Sequence, residues 1–507
     1  MGINTRSQKA FVNVAAAFLN KILSLVIKFG VRTVFIYTLG VEYLGLNGLF
    51  LSIIALLSLA DLGFSIALPY SLYKPLAEKD NRKIQALMAF YSKVYKWIGL
   101  FVFVIGLILL PLLPFMFNNI PNINNINSIF MLFVINSAIS YLFIYKKTLI
   151  LADQKGYLIS NIEWVFALIL AIIQIYILIN YENYILYLIM MILITISQNL
   201  YISKKCDDLY PFLKEKNTNK LEKAEKNKLS KDIFALMIYK FANAIESSID
   251  NIIISIYLGI AIVGIYSNYS LVILSIQGIL MVAINSLTSS VGNLIAQGDK
   301  NKIYPVYNAI NLMSIWMYGV VGISLWILIN PFIYLWIGEE YLLEPLIVFL
   351  LVINLYIFGS HNTTSIFRNS FGLFWEARYR PILMIIMNVS LSILFVQIIG
   401  LAGVFIGSIL SRLLTVGIMD PYIVHKYGFK SSVIPYHFKK FLYMISISVV
   451  GLLTYLITSI TSDESIFTFL QKCIFVLLIS NALLFVIFYK SKELKYLSNL
   501  IKGILKR

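Results

Sequence analysis

Three cations stand at helical spacing near the start of the chain, Lys21, Lys28 and Arg32. At 100° per residue they fall within an arc of about 60°, and Asn13, Ala17 and Ser24 continue the same stripe. A row of cations suits an anionic solute. Phosphate and pyrophosphate fit best, because ammonium and guanidinium groups both bind phosphoryl oxygens and Arg does so in a bidentate way. A second stripe is mixed in sign: Lys240, Asn243, Glu246, Ser247, Asp250 and Asn251. Glu246 and Asp250 could gate a pathway or exchange a proton or a sodium ion. Asp61, beside Gly63 and ahead of Pro69, suits ion coupling and the cap of a helix break equally well. Arg412, with Ser408, Ser411 and Thr415 around it, adds one more cation.

The elements that position these groups are membrane helices. Of the 507 residues 60% are apolar and 13% charged, whereas a soluble domain has roughly 45 to 50% and about 25%. A water-soluble fold and disorder are both excluded. Stretches of about 20 apolar residues cross a bilayer core, and fourteen can be drawn, at 11–36, 44–72, 86–113, 128–151, 157–179, 184–203, 233–257, 263–295, 306–332, 345–367, 382–399, 401–420, 441–460 and 468–489. The weakest boundary is the Gly400 to Gly403 turn, since a kink there would reverse the orientation of everything after it.

Alternate connections hold 33 of the 41 basic residues, and the seven opposite ones hold none. Cytoplasmic loops carry that excess, so both termini are expected in the cytoplasm, with Cys206 inside and Cys473 near the outer surface. The net charge of +17 therefore belongs to the inner membrane surface and does not call for nucleic acid. Two cysteines at opposite ends of the membrane give no disulfide framework. His361, His425 and His437 show no ligand spacing, so no metal or cofactor is implied. The first apolar segment is too long and too charged for a cleavable signal.

In the first span Lys21 lies roughly 15 Å deep and Lys28 roughly 25 Å, while Arg32 is near enough to the outer surface to snorkel. Those depths imply that Lys21 faces a cavity. Lys240, two turns from the cytoplasmic end, suits either a cavity or snorkelling. Lys472 reads as interfacial, and Lys93 and Lys96 with Tyr91, Tyr95 and Trp97 read as a basic and aromatic belt. Glu163 and His361, near cytoplasmic helix ends, read as structural.

The chain repeats itself. Shifted by 219 residues without a gap, Leu39, Gly40 and Gly45 fall on Leu258, Gly259 and Gly264, while Ala77, Asp80, Lys83 and Ile84 fall on Ala296, Asp299, Lys302 and Ile303 and Trp97 on Trp316. This gives an all-α polytopic membrane protein with two pseudo-symmetric six-helix lobes, 1–203 and 232–420, in the parallel-repeat arrangement of several secondary transporters. A charged cytoplasmic linker, 204–231, joins them. Two additional helices follow in 421–489, then a tail, 490–507, whose Leu494, Leu497, Ile501 and Ile504 alternate with lysines as in an amphipathic helix on an anionic leaflet. There is no G-x-x-x-x-G-K-[ST] loop, and no outer loop large enough to carry catalytic carboxylates. A carrier is expected, not an enzyme.

The stretches LGVEYLGLNGLF (39–50), LADLGFSIALPYSLYKPLAEKD (59–80), IDNIIISIYLGIAIVGIYSNYS (249–270) and SSVGNL (289–294) resemble capsule, exopolysaccharide and O-antigen repeat-unit flippases. These belong to the multidrug, oligosaccharidyl-lipid and polysaccharide exporter superfamily. The resemblance implies two six-helix lobes with the first and seventh helices on a central cavity. It further implies alternating access that moves undecaprenyl-diphosphate-linked oligosaccharide across the cytoplasmic membrane of a bacterium, and a groove for the polyprenyl tail bordered by the last two helices. Membrane lipids are partners, as are, by extension, a glycan polymerase and glycosyltransferases.

Combined with the stripes, this gives a substrate-binding set of Lys21, Lys28, Arg32, Lys240 and Arg412, and a gating or ion-coupling set of Asp61, Glu246 and Asp250. Lys28 or Arg32 would pair with Glu246 or Asp250 toward the outer side until the diphosphate competes for the basic stripe. A drug or metabolite cation antiporter of the same fold is the alternative, against which the basic first helix argues. A non-transporting scaffold for glycan-assembly enzymes is the remaining class, and it requires the cavity cations to be dispensable.

Overall fold

The computed structural model describes residues 6–58, 64–118, 123–215, 248–298, 300–459 and 465–505. In the first helix, side chains are described from residue 23 onward. The described residues form helices and no strand, as a chain must when lipid offers its backbone no hydrogen-bond partner. Among the described residues eleven helices are long and apolar enough to cross a membrane, twelve if one bent pair is a single span. The protein is a multi-pass membrane protein. Two compact units divide it, residues 1–264 and 265–507.

The first unit comprises α1 (Arg6–Leu57), α2 (Phe64–Glu78), α3 (Asn81–Leu109), α4 (Ile126–Tyr141), α5 (Ile144–Ala152), α6 (Gly156–Tyr181), α7 (Tyr184–Leu209) and α8 (Ser248–Leu258), with the first turn of α9 (Ile260–Asn285). α1 is two helices broken at Gly40, whose φ of 81° only glycine adopts cheaply. That break is where the first outer turn was expected. A core of Leu68, Leu72, Ile84, Tyr91, Tyr95 and Leu149 joins α2, α3 and α5. The expected belt on α3 therefore divides. Tyr91, Tyr95, Ile98 and Val102 recur at helical spacing on the packed face, so the two tyrosines are fully buried, while Lys93, Lys96 and Trp97 lie exposed on the other face. At the inner end, Lys146 bonds Asp207 at 2.7 Å and Lys147 pairs with Glu163, which is structural as expected.

The second unit holds the remainder of α9, then α10 (Thr288–Gln297), α11 (Lys300–Ile337), α12 (Pro345–Ser360), α13 (Asn362–Ser370), α14 (Arg380–Ile399), α15 (Leu401–Arg412), α16 (Met419–Ile423), α17 (Ile434–Thr458), α18 (Ile466–Phe488) and α19 (Lys492–Leu505). α14 and α15 form a tight antiparallel hairpin about Gly400, at φ 60°. Gly400 is thus a turn and not a kink, and the alternation of sides continues through it. α17 and α18 pack on α11 through Leu312, Ile315, Val320, Val450, Val476 and Leu484. Lys472 departs from its reading. It is 6% exposed and enclosed by protein, because it falls on the same face of α18 as Val476 and Ser480. The tail is the expected amphipathic helix, α19, tied to α17 by the Lys439–Glu493 ion pair.

The 219-residue shift reappears in the helix boundaries. α2 ends at Glu78 and α10 at Gln297, α3 begins at Asn81 and α11 at Lys300, and α4 spans Ile126–Tyr141 where α12 spans Pro345–Ser360. Left-handed residues obey it too: Gly40 with Gly259, and Lys79 with Gly298. Gly45 and Gly264 go further and approach each other. A Cβ on Gly45 would lie 1.9 Å from the Ile260 carbonyl oxygen, and one on Gly264 would lie 2.3 Å from that of Val41. Val41 and Ile260 are themselves one repeat apart, so the contact is reciprocal. Small residues permit such close backbone approach between membrane helices.

Candidate functional site

Lys21 lies on α1 with its side chain outside the described set. Lys28 is exposed along α1, and Arg32 one turn on is half-buried. Arg32 lies within electrostatic reach of Tyr184 and Tyr187 at the start of α7. Phe35 meets the same two rings edge-on at 5.4 and 5.7 Å, and Tyr43 meets Tyr184 at 5.4 Å. The guanidinium therefore lies near the phenol groups at the start of α7.

Asp250 is half-buried on α8. Its neighbour Asn251 donates to Ser52 Oγ at 2.9 Å, and Ser255 donates to the Met116 carbonyl at 2.7 Å. These bonds fix α8 against α1 and the end of α3. Asp61, Lys240 and Glu246 lie outside the described residues.

Arg412 belongs to the second unit. Its Nη1 donates to the Asn354 side-chain oxygen at 2.6 Å and to the Asn354 carbonyl at 3.1 Å, and its guanidinium lies 5.5 Å from the Phe358 ring centroid. The helix that carries it ends in a π-helical stretch, Leu413–Gly417. Such widened turns recur at functional sites.

Sequence reasoning missed a fully buried ion cluster. Asp420 accepts from Arg368 Nη1 at 2.7 and 2.6 Å and from Arg380 Nη1 at 3.3 Å, with exposures of 0%, 2% and 6%. It joins α13, α14 and α16. Arg368 and Arg380 read as loop cations because the loop was drawn across them. The available signal was Asp420, an acid at a helix end between two basic stretches. The histidines also converge where spacing along the sequence showed nothing. The His425 ring is 5.3 Å from Tyr436, His437 is 5.4 Å from the same ring, and Lys440 and His437 both act electrostatically on His361. Among the described residues no group of His, Cys, Asp or Glu could hold a metal ion.

No family model and no curated protein matches the sequence. Solved structures do. The chain is similar to the lipid II flippase MurJ in an inward closed conformation, at 14% identity over 94% of this chain and 98% of that one, with a TM-score of 0.67. An inward-facing multidrug resistance MATE transporter of the MOP superfamily aligns over 79% of this chain and 94% of its own, at 14% identity and a TM-score of 0.62, and the likeness is one of fold. A MOP superfamily transporter from Pyrococcus furiosus, described as having a binding pocket of reverse polarity, aligns over 83% and 96% at 12% identity and 0.53.

A large cavity of about 1090 Å³ also lies in the second unit, between α11, the end of α18 and α19. Leu312, Trp316, Phe485, Leu494 and Leu497 make its wall apolar, and Lys490 and Lys495 stand at its rim.

Proposed function

We propose that this chain is a flippase that moves undecaprenyl-diphosphate-linked oligosaccharide repeat units across the bacterial cytoplasmic membrane by alternating access, for capsule, exopolysaccharide or O-antigen synthesis. One observation carries the reading. The likeness to a flippase of a lipid-linked precursor spans 94% of this chain, whereas the MATE likeness spans 79%. The excess is about the size of α17 to α19, of which α18 and α19 frame, with α11, the apolar cavity with its lysine rim. A polyprenyl chain suits such a wall and a diphosphate suits such a rim.

In this proposal the diphosphate is held by Lys21, Lys28 and Arg32, with Lys240 and Arg412 as further cations. Asp61, Glu246 and Asp250 gate the pathway or couple it to an ion gradient. Substrate binding shifts the population between access states by its differential affinity for them. The MATE likeness favours cation antiport as a second reading, but a cationic solute is repelled by the basic stripe of α1. The superfamily member with reversed pocket polarity supports the idea that this fold accepts the opposite charge.

The test is glycan export in a strain deleted for the gene and complemented with variants at matched expression. Lys21→Ala with Lys28→Ala should abolish export, and no change at Glu246 or Asp250 should restore it. Arg32→Ala or Asp250→Ala should impair export more than the exchange of both charges. Normal export by the Lys21, Lys28 double variant would refute the cationic site.

A further inference from the structure

A second cavity, of about 240 Å³, opens between the end of α12, the π-helical turn after α15, and the first turns of α17. That is roughly eight times the ~30 Å³ share of a liquid water. Its polar lining is Tyr356, Ser360, His361, His437 and Lys440, and among the described residues no acid lines it.

Lys440 is weakly satisfied. Its ammonium reaches the Ser360 carbonyl at 3.4 Å and the Tyr436 hydroxyl at 3.3 Å and lies 5.6 Å from the Tyr436 centroid. Charge-assisted hydrogen bonds are about 2.7 to 2.9 Å, and among the described residues no carboxylate pairs with Lys440. A snorkelling lysine would extend to water, whereas this one turns back over the pocket. His361 is buried, with Nδ1 at 2.7 Å from the Ile357 carbonyl. That bond fixes the ring. Its Nε2 then lies beside Gly417, where a Cβ would come within 3.3 Å. Lys440, Arg412 and His437 all act electrostatically on the His361 ring. Leu413, Ile418, Phe441 and Met444 form an apolar rim, each between 38% and 53% exposed. By the distribution of basic residues along the chain, the start of α17 lies at the cytoplasmic end of the membrane.

We propose that this pocket holds the phosphoryl headgroup of an anionic lipid of the inner leaflet, on Lys440 and His437, with an acyl chain lying against Phe441, Met444, Leu413 and Ile418. Basic pockets between membrane helices on the cytoplasmic side recognise lipid phosphates by the same physics. The site is separate from the proposed transport cations of α1, and it does not depend on which solute is carried.

The full chain, delipidated in neutral detergent, would be titrated with dioleoyl-phosphatidylglycerol, dioleoyl-phosphatidylcholine or sodium phosphate while its unfolding midpoint is followed. Phosphatidylglycerol should raise the midpoint where phosphatidylcholine does not. Lys440→Gln with His437→Gln should weaken that response at least tenfold in lipid concentration, while Lys79→Gln with Lys83→Gln, both exposed in the first unit, should leave it intact. Should the first pair misfold, counting bound phosphatidylglycerol by native mass spectrometry on His437→Gln alone gives the same decision, with reduced occupancy expected. An undiminished response in these variants, or a full shift from sodium phosphate alone, would overturn the proposal.

Discussion

Replacing Asp420 by Asn removes a carboxylate bonded to two guanidiniums in a site with almost no exposure to solvent, Arg368 at 2% and Arg380 at 6%. The amide keeps the shape and one acceptor oxygen but supplies no charge. Two cations then face each other across a neutral group. Removing one partner of a buried pair costs about 3 to 5 kcal/mol, since the remaining charge stays desolvated and uncompensated. The cluster joins three helices, so its loss should be felt by the whole second unit. For a cooperative unit of 150 to 250 residues, roughly 2 to 4 °C of midpoint follows each kcal/mol. Asp420→Asn should thus lower the unfolding midpoint by about 6 to 20 °C, measured by tryptophan fluorescence on purified protein with helicity checked by circular dichroism at low temperature. Asp420→Asn with Arg368→Met, which withdraws one cation, should recover part of the loss. A midpoint within 1 °C of the parent would show that the cluster is neutralised in another way and would sink the reasoning.

Orientation can be read by impermeant thiol labelling of intact cells: cysteines placed at Asn124 or Asp463 should react and those at Asn217 or Ser431 should not, and reaction at Asn217 would reverse the topology. Neutralising Asp61, Glu246 and Asp250 one at a time should abolish or uncouple transport at one of them, whereas normal transport by all three variants would place coupling elsewhere. Burial pushes the Asp153 carboxyl up, but hydrogen bonds from Lys155 and Tyr210, together with the Lys155 charge, outweigh it and hold the group below its ordinary value. Its stabilisation is therefore complete above the ordinary carboxylate range and lost as pH falls from about 4 through the depressed value, so Asp153→Asn should be less stable than the parent at pH 7, by a margin that shrinks as pH falls below about 4; a difference that ignores pH would exclude this linkage.

What could be read from the sequence is what depends on local pattern. The Gly40 break, the Gly400 hairpin and the amphipathic tail each follow from residue type and period, and so does the 219-residue repeat, which the ends of α2 and α10 reproduce. What could not be read depends on rotation about a helix axis and on contacts distant in sequence. Tyr91 and Tyr95 share a helix with Lys93 and Trp97, and only the packed face of α3 separates core from belt. Lys472 sits at the expected helix end, but its direction is set by neighbours in space. The Arg368–Asp420 pair spans 52 residues, and the pocket at Lys440 draws on three separated segments. Hydropathy gives neither.

The glycine contact between α1 and α9 has the geometry of a homodimer seam. In a twofold interface residue i meets j and j meets i, and Val41 and Gly45 meet Ile260 and Gly264 in that way. A half-length ancestor pairing with its own copy would have encoded the contact once, so that one codon change altered it on both sides. In a single chain the two glycines are separate heritable positions. Either can drift while the other holds the seam, which opens a route to asymmetric hinges that a symmetric pair of half-chains could not take.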